Sequence, residues 1–434
     1  MKNIFLVIVI CFGILEAQNS ISGSFSPAKD YSFAFVYKAT PSGADYVDRA
    51  RLDETGSFTI TLDSSQRPGM YKLVYAIPPE ENNFDFIYDA KEDVVFDFNA
   101  ESGILFKESN ENKIWASYIK SMGMINQTIS NYYQKDGEDQ KAFKDLFKTL
   151  SDTQKAYEDS SNEMIVQQLI KANKPYIPAT YEDLSTYSEN LKKTYFNNID
   201  FDNKFLQSSS FITDRLNGYV FGLSENPSNE DYQSRIDDVY AAIKGSQPKT
   251  QSSLLQLLWN QFNNLNNDEV SGYIANTYLE DLAISLNNQD LLSEIESRKR
   301  ISIGALAPDF LIVNSQMETT LHKLEKSNNY LLIFWSSGCS HCMTEVPQVH
   351  QLLKDDANIK VIAYALEENQ QEWDEAIKGF ADFIHVFGPK KWDNPIVMEY
   401  SLSATPTYFI LDSDKKIIGK PYDLEALKKQ LRDL

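Results

Sequence analysis

Tyr330-Leu331-Leu332-Ile333-Phe334-Trp335 is an unbroken apolar run that leads through Ser336-Ser337-Gly338 directly into Cys339-Ser340-His341-Cys342. Such a run suits a strand buried on both faces. From Cys339 the period changes: Met343, Val346, Val349, His350 and Leu353 recur at spacings of three and four. That spacing predicts a helix from Cys339 to Leu353. A buried strand, a tight turn and a helix opening on paired cysteines constrain this chain more than any other stretch.

Two cysteines separated by two residues serve as a redox dithiol or as half of a zinc site. The chain has three cysteines and four histidines, and no two histidines stand in zinc-finger spacing. A tetrahedral zinc site lacks its remaining ligands on that count. At the start of a helix, Cys339 faces unpaired amides and the positive end of the macrodipole. That placement lowers a thiol's pKa and makes it a nucleophile near neutral pH. Cys342, one turn further in, is expected to be more buried and to resolve the mixed disulfide that exchange chemistry forms. A structural disulfide here would close too small a loop to add much stability. Pro347 predicts a kink, because it removes a helix hydrogen bond. Ser403 to Asp412 reads as a turn into a strand, with Thr405-Pro406 a suitable place for a cis bond.

The Trp-x-x-x-Cys-x-x-Cys core, Pro347, Thr405-Pro406 and the Ala307-Pro308-Asp309-Phe310 opening together resemble the thioredoxin superfamily, within it the TlpA/ResA-like envelope thiol–disulfide oxidoreductases. The resemblance runs from about Ile303 to Leu434. His341 is similar to the histidine of oxidising members, where it stabilises the first thiolate. A two-unit drop in thiol pKa is about 2.7 kcal/mol, or roughly 60 mV for a two-electron couple. Glu345 matches the acidic position of the ResA-like pattern, which tunes thiol ionisation and moves protons. Thioredoxin's buried acid, six residues before the first cysteine, is replaced by Ile333, which leaves Glu345 as the nearby candidate for proton transfer. Thr405 and Pro406 are expected to face the dithiol and to take an extended substrate segment by strand addition. Trp335 is expected to wall the site, and Gly338, in place of a bulky residue, to open the approach to Cys339. The resemblance implies no cofactor and no metal beyond the Cys339–Cys342 disulfide.

A formal net charge of −21 argues against nucleic acid or an anionic membrane as the main partner. Lys2, the apolar run Ile4 to Leu15 and the small Ala17 make residues 1–17 read as a cleaved signal peptide. That apolar run is too short to span a bilayer comfortably. The address expected is the periplasm or cell envelope, with Cys11 inside the leader.

Alternation marks residues 18–107: Phe33, Phe35 and Tyr37; Phe58, Ile60 and Leu62; Tyr71, Leu73 and Tyr75; Phe84, Phe86 and Tyr88; Val94, Phe96 and Phe98. Residues 108–300 turn helical, as in Trp115, Tyr118, Ile119, Met122, Ile125 and Ile129. Residues 301–434 read β–β–α–β–α–β–β–α. The fold class expected is multidomain: an N-terminal antiparallel β-sandwich, a middle all-α region and a C-terminal α/β thioredoxin-like domain. The function expected is disulfide exchange with protein substrates, as reductant or isomerase rather than oxidant, fed by a membrane or envelope electron donor. Homo-oligomerisation would run through the front domains. Two competing readings remain. One is a peroxidase, for which the Pro-x-x-x-Thr-x-x-Cys setting is absent before Cys339. The other is a substrate- or metal-binding envelope protein with a copper-handling or vestigial CxxC, whose ligands would be Cys339, His341, Cys342 and His350.

Overall fold

The computed structural model describes residues 19–135, 137–313, 318–380 and 382–434. The expected signal peptide and Cys11 lie outside them. The chain divides into two compact units, Met1–Leu223 and Ser224–Leu434. The helical stretch is shared between these units rather than forming a third.

In the front unit eight strands come first: β1 (Ser20–Ser26), β2 (Phe33–Thr40), β3 (Gly43–Arg51), β4 (Ser57–Thr61), β5 (Gly69–Val74), β6 (Asn83–Tyr88), β7 (Val94–Asn99) and β8 (Gly103–Phe106). They form two four-stranded sheets, ordered β4-β1-β7-β8 and β3-β2-β5-β6. Ile21, Phe58 and Phe96 of the first sheet share a buried cluster with Val36, Tyr71 and Phe86 of the second. The pairing departs from the antiparallel expectation in one place, because β1 and β7 run parallel. The five strands and turns between them supply the long crossover that a parallel pair requires.

Six helices follow: α1 (Asn110–Gln134), α2 (Gln140–Ser160), α3 (Gln167–Ala172), α4 (Leu184–Thr194), α5 (Lys204–Gln207) and α6 (Phe211–Gly222). Polar contacts fasten them to the strands. Asn112 accepts from the Ile87 amide at 2.8 Å and donates to the Ile87 carbonyl at 2.7 Å. The Ser210 amide donates to Asp85 at 2.8 Å. A satisfied buried pair such as Asn112 with Ile87 fixes one register between elements.

The second unit opens with α7 (Asn229–Ile243), α8 (Pro248–Asn264), α9 (Asp268–Ile274), α10 (Glu280–Ser285) and α11 (Gln289–Arg300). Their attachment explains why they part from α1–α6. Lys420, beyond the last strand, donates to Asp268 in the first turn of α9 at 2.7 Å, and both side chains are largely buried. Arg300 donates to Glu399 at 2.7 Å.

The short pair β9 (Leu311–Val313) and β10 (Glu318–Thr320) precedes β11 (Asn329–Trp335), α12 (Ser340–Leu353), β12 (Ile359–Glu367), α13 (Gln370–Ala376), β13 (Ile384–Pro389), α14 (Pro395–Glu399), β14 (Thr407–Asp412), β15 (Ile417–Gly419) and α15 (Leu424–Arg432). The main sheet is ordered β13-β12-β11-β14-β15, with parallel pairs on one side of β11 and antiparallel pairs on the other. Leu331, Ile333 and Trp335 enter one buried cluster, while Tyr330, Leu332 and Phe334 enter the opposite one. That alternation is why β11 reads as a continuous apolar run, and it places the strand at the centre. The sequence expectation omitted β13, an edge strand whose Gly388 and Pro389 interrupt the strand signal.

Candidate active site

The site forms where β11 ends and α12 begins. Cys339 is the N-cap of α12, one residue earlier than a helical position, with extended backbone angles. Its Sγ accepts the Cys342 amide at 3.2 Å, so the sulfur satisfies one of the helix's orphan donors. A thiolate accepts such a bond better than a thiol, and the helix macrodipole acts in the same direction. In the protonated state the Cys339 thiol donates to the Thr405 carbonyl at 3.3 Å. Both cysteines are unpaired thiols here, Cys339 half-buried and Cys342 fully buried.

Their acidities part accordingly. Burial pushes the Cys339 thiol up, but hydrogen bonds from Cys342, the Thr405 side chain and the His341 amide outweigh it and hold the thiol below its ordinary range. Burial, and next the hydrogen bond to Cys339, push Cys342 well up. Of the two, the first cysteine is therefore the one that ionises more readily.

The other expected residues occupy different stations. Thr405-Pro406, a cis bond, lies against Cys339 through the Thr405 carbonyl. The His341 ring is exposed, and what reaches the Cys339 sulfur is its backbone amide. Glu345 is partly buried and accepts the Tyr408 hydroxyl at 2.8 Å. Trp335 departs from its expected place as a substrate wall: it is fully buried, edge-on to Phe380, with an unpartnered indole N–H. It lies behind the thiols because the inward alternation of β11 sends residue 335 into the core. His350 of the copper-ligand set is committed to Asp382 at 2.6 Å. Among the described residues no group of three or more His, Cys, Asp or Glu is placed to hold a metal ion.

Two residues escaped the sequence reading. Tyr408, on β14 opposite Ile333, is buried beside Cys342 and hydrogen-bonded to Glu345. Burial, with the carboxylate next in weight, keeps its phenol protonated far above the ordinary range. Glu367, at the end of β12, is a buried carboxylate that accepts the Ser337 amide of the loop before Cys339. Its only sequence signal is the first of two adjacent acids at the end of a largely apolar strand.

Residues 328–417 match the Thioredoxin-like family. The thiol–disulfide oxidoreductase ResA of Bacillus cereus is 28% identical over 136 residues, which cover 31% of this chain and 77% of the relative. The thioredoxin-like protein YneN of Bacillus subtilis is 27% identical over 143 residues, 32% of this chain and 84% of the relative. Among solved structures, the thioredoxin domain of a thiol–disulfide oxidoreductase from Bacteroides vulgatus is 20% identical, covers 30% of this chain and 96% of its own, and has a TM-score of 0.28. A thioredoxin-like protein from Bacteroides caccae is 18% identical, covers 60% and 97%, and has a TM-score of 0.34. The family match and the curated relatives make the C-terminal third a thioredoxin-superfamily domain. Within that superfamily it is TlpA/ResA-like, and its relatives make thiol–disulfide exchange its general chemistry.

Proposed function

We propose that this protein is an exported thiol–disulfide oxidoreductase that reduces or isomerises disulfides in protein substrates. The observation that carries this reading is the unequal pair: a half-buried Cys339 capping α12 with lowered pKa, and a buried Cys342 with raised pKa. The Cys339 thiolate attacks a substrate disulfide, one substrate sulfur leaves as a thiolate, and a mixed disulfide forms. Cys342 then loses its proton and attacks Cys339 Sγ, which releases the second substrate sulfur. The products are a Cys339–Cys342 disulfide and a substrate reduced by two electrons. A membrane or envelope donor returns those electrons.

Tyr408 and Glu345 supply a hydroxyl and a carboxylate beside Cys342, which suits them to take its proton at the resolving step. Thr405-Pro406 would line the path of an extended substrate segment. Export is supported by the N-terminal leader pattern and by a likeness to ResA. Among the described residues no helix is long and apolar enough to cross a membrane. Redox titration of Cys339/Cys342, with insulin reduction by the wild type and Cys339→Ala, tests the proposal. A potential in the range of protein dithiols and activity lost in the variant support it; equal activity in both proteins overturns it.

A further inference from the structure

A cavity of about 590 Å³ opens among the helices of the front unit. That volume lies within the roughly 300–1,000 Å³ of small-molecule sites. Its wall is drawn from α1, α2, α4 and α6 and from the segment after α3. Met122 and Ile129 are its buried apolar residues on α1, and the more exposed Leu184 and Leu191 belong to α4.

Charge sets this cavity apart. Lys174 and Arg215 line it and no aspartate or glutamate does, in a chain of net charge −21; Lys174 pairs with Glu158 outside the lining at 3.9 Å, which leaves Arg215 as the cation that matters. Arg215 donates through Nη2 to the Tyr195 carbonyl at 2.8 Å, and its guanidinium stacks 3.9 Å from the centre of the Tyr195 ring. Its Nε is buried without a hydrogen-bond partner. The groups acting on its charge are the Tyr195 and Tyr118 phenols rather than a carboxylate, and burial opposes that charge. Arg215 is half-buried, a position in which a cation gains from an anionic partner, and an arginine fork suits a planar anion.

We propose that this cavity binds a carboxylate-bearing ligand with an apolar body. The carboxylate pairs with the Arg215 guanidinium, and the body lies against Met122, Ile129, Leu184 and Leu191. A single negative charge fits these apolar walls better than a phosphate, whose greater charge costs more to desolvate.

Isothermal titration of the whole protein with octanoate and 4-phenylbutyrate, each against its neutral amide, tests this site. The expected result is at least one carboxylate binding on the order of tenfold tighter than its amide, with that preference lost in Arg215→Met. The carboxylate–amide contrast is read in the wild type, so it stands even if the variant fails to fold. Absence of carboxylate binding at millimolar concentration, equal binding of acid and amide, or a preference retained in a folded Arg215→Met overturns the proposal. Insulin reduction is measured separately and bears on the dithiol alone.

Discussion

The two units hold their polar chemistry in opposite ways. In the second unit the Cys339 sulfur sits on a helix terminus whose nearby amides and Thr405 already offset its charge against burial. In the front unit the half-buried Arg215 guanidinium stacks on Tyr195, and among the described residues no carboxylate forms an ion pair with it. The first site draws most of its electrostatics from four consecutive residues. The second assembles from helices spread between Met122 and Arg215. A site built from adjacent backbone is complete in the isolated chain, whereas one built by convergent packing with an unanswered charge is complete only with a ligand.

The largest expected effect falls on the local site. Cys339→Ser should lower insulin reduction on the order of a thousandfold or more, because the attacking thiolate is gone. In turnover with substrate, Cys342→Ala should instead accumulate a mixed disulfide at Cys339, visible by non-reducing electrophoresis. Equal losses without trapping would break the division of labour between the two thiols.

Core substitutions sharpen the comparison next. Trp335→Ala should destabilise the second unit by about 3–5 kcal/mol in denaturant unfolding. Gly23 lies directly between Phe58 and Phe96 on its neighbouring strands, and a Cβ there would stand 2.4 Å from the Phe96 ring. Gly23→Ala should therefore cost the front unit about 1–3 kcal/mol while insulin reduction stays near wild type. A matching loss of exchange activity would show that the dithiol depends on the front unit.

Two smaller effects probe the polar residues around the thiols. Glu367→Gln keeps an acceptor for the Ser337 amide, so insulin reduction should stay near wild type. Glu367→Ala frees the loop and should slow insulin reduction about tenfold, roughly one lost hydrogen bond to a charged group. Tyr408→Phe should slow resolution by a few-fold, about 0.5–1.5 kcal/mol, and leave the Cys339 midpoint in place. Stopped-flow measurement of mixed-disulfide decay checks this.

How much was legible follows the same division. The strand–turn–helix at Tyr330 to Leu353 was readable because both periodicities and the helix start are local. The Thr405-Pro406 contact came through the family resemblance, and the fold then laid β14 beside β11. Glu367 and Tyr408 were not readable, since each reaches the site across strand neighbours far away in sequence. Trp335 was read as a site wall because spacing puts it near the cysteines, but strand alternation turns it inward. The parallel β1–β7 pair and the split of the helices were hidden for a related reason. Both are set by long-range attachment, such as Asp268 to Lys420, rather than by composition.

The most direct test is the pH dependence of alkylation of the fully reduced protein, with the modified cysteine identified by peptide mass. Below its pKa a thiol is protonated and unreactive, and above it the thiolate reacts. Cys339 should be modified first, with a midpoint below that of an ordinary thiol, while Cys342 stays protected to much higher pH. Modification of Cys342 first, or a Cys339 midpoint at or above the ordinary value, would contradict the account.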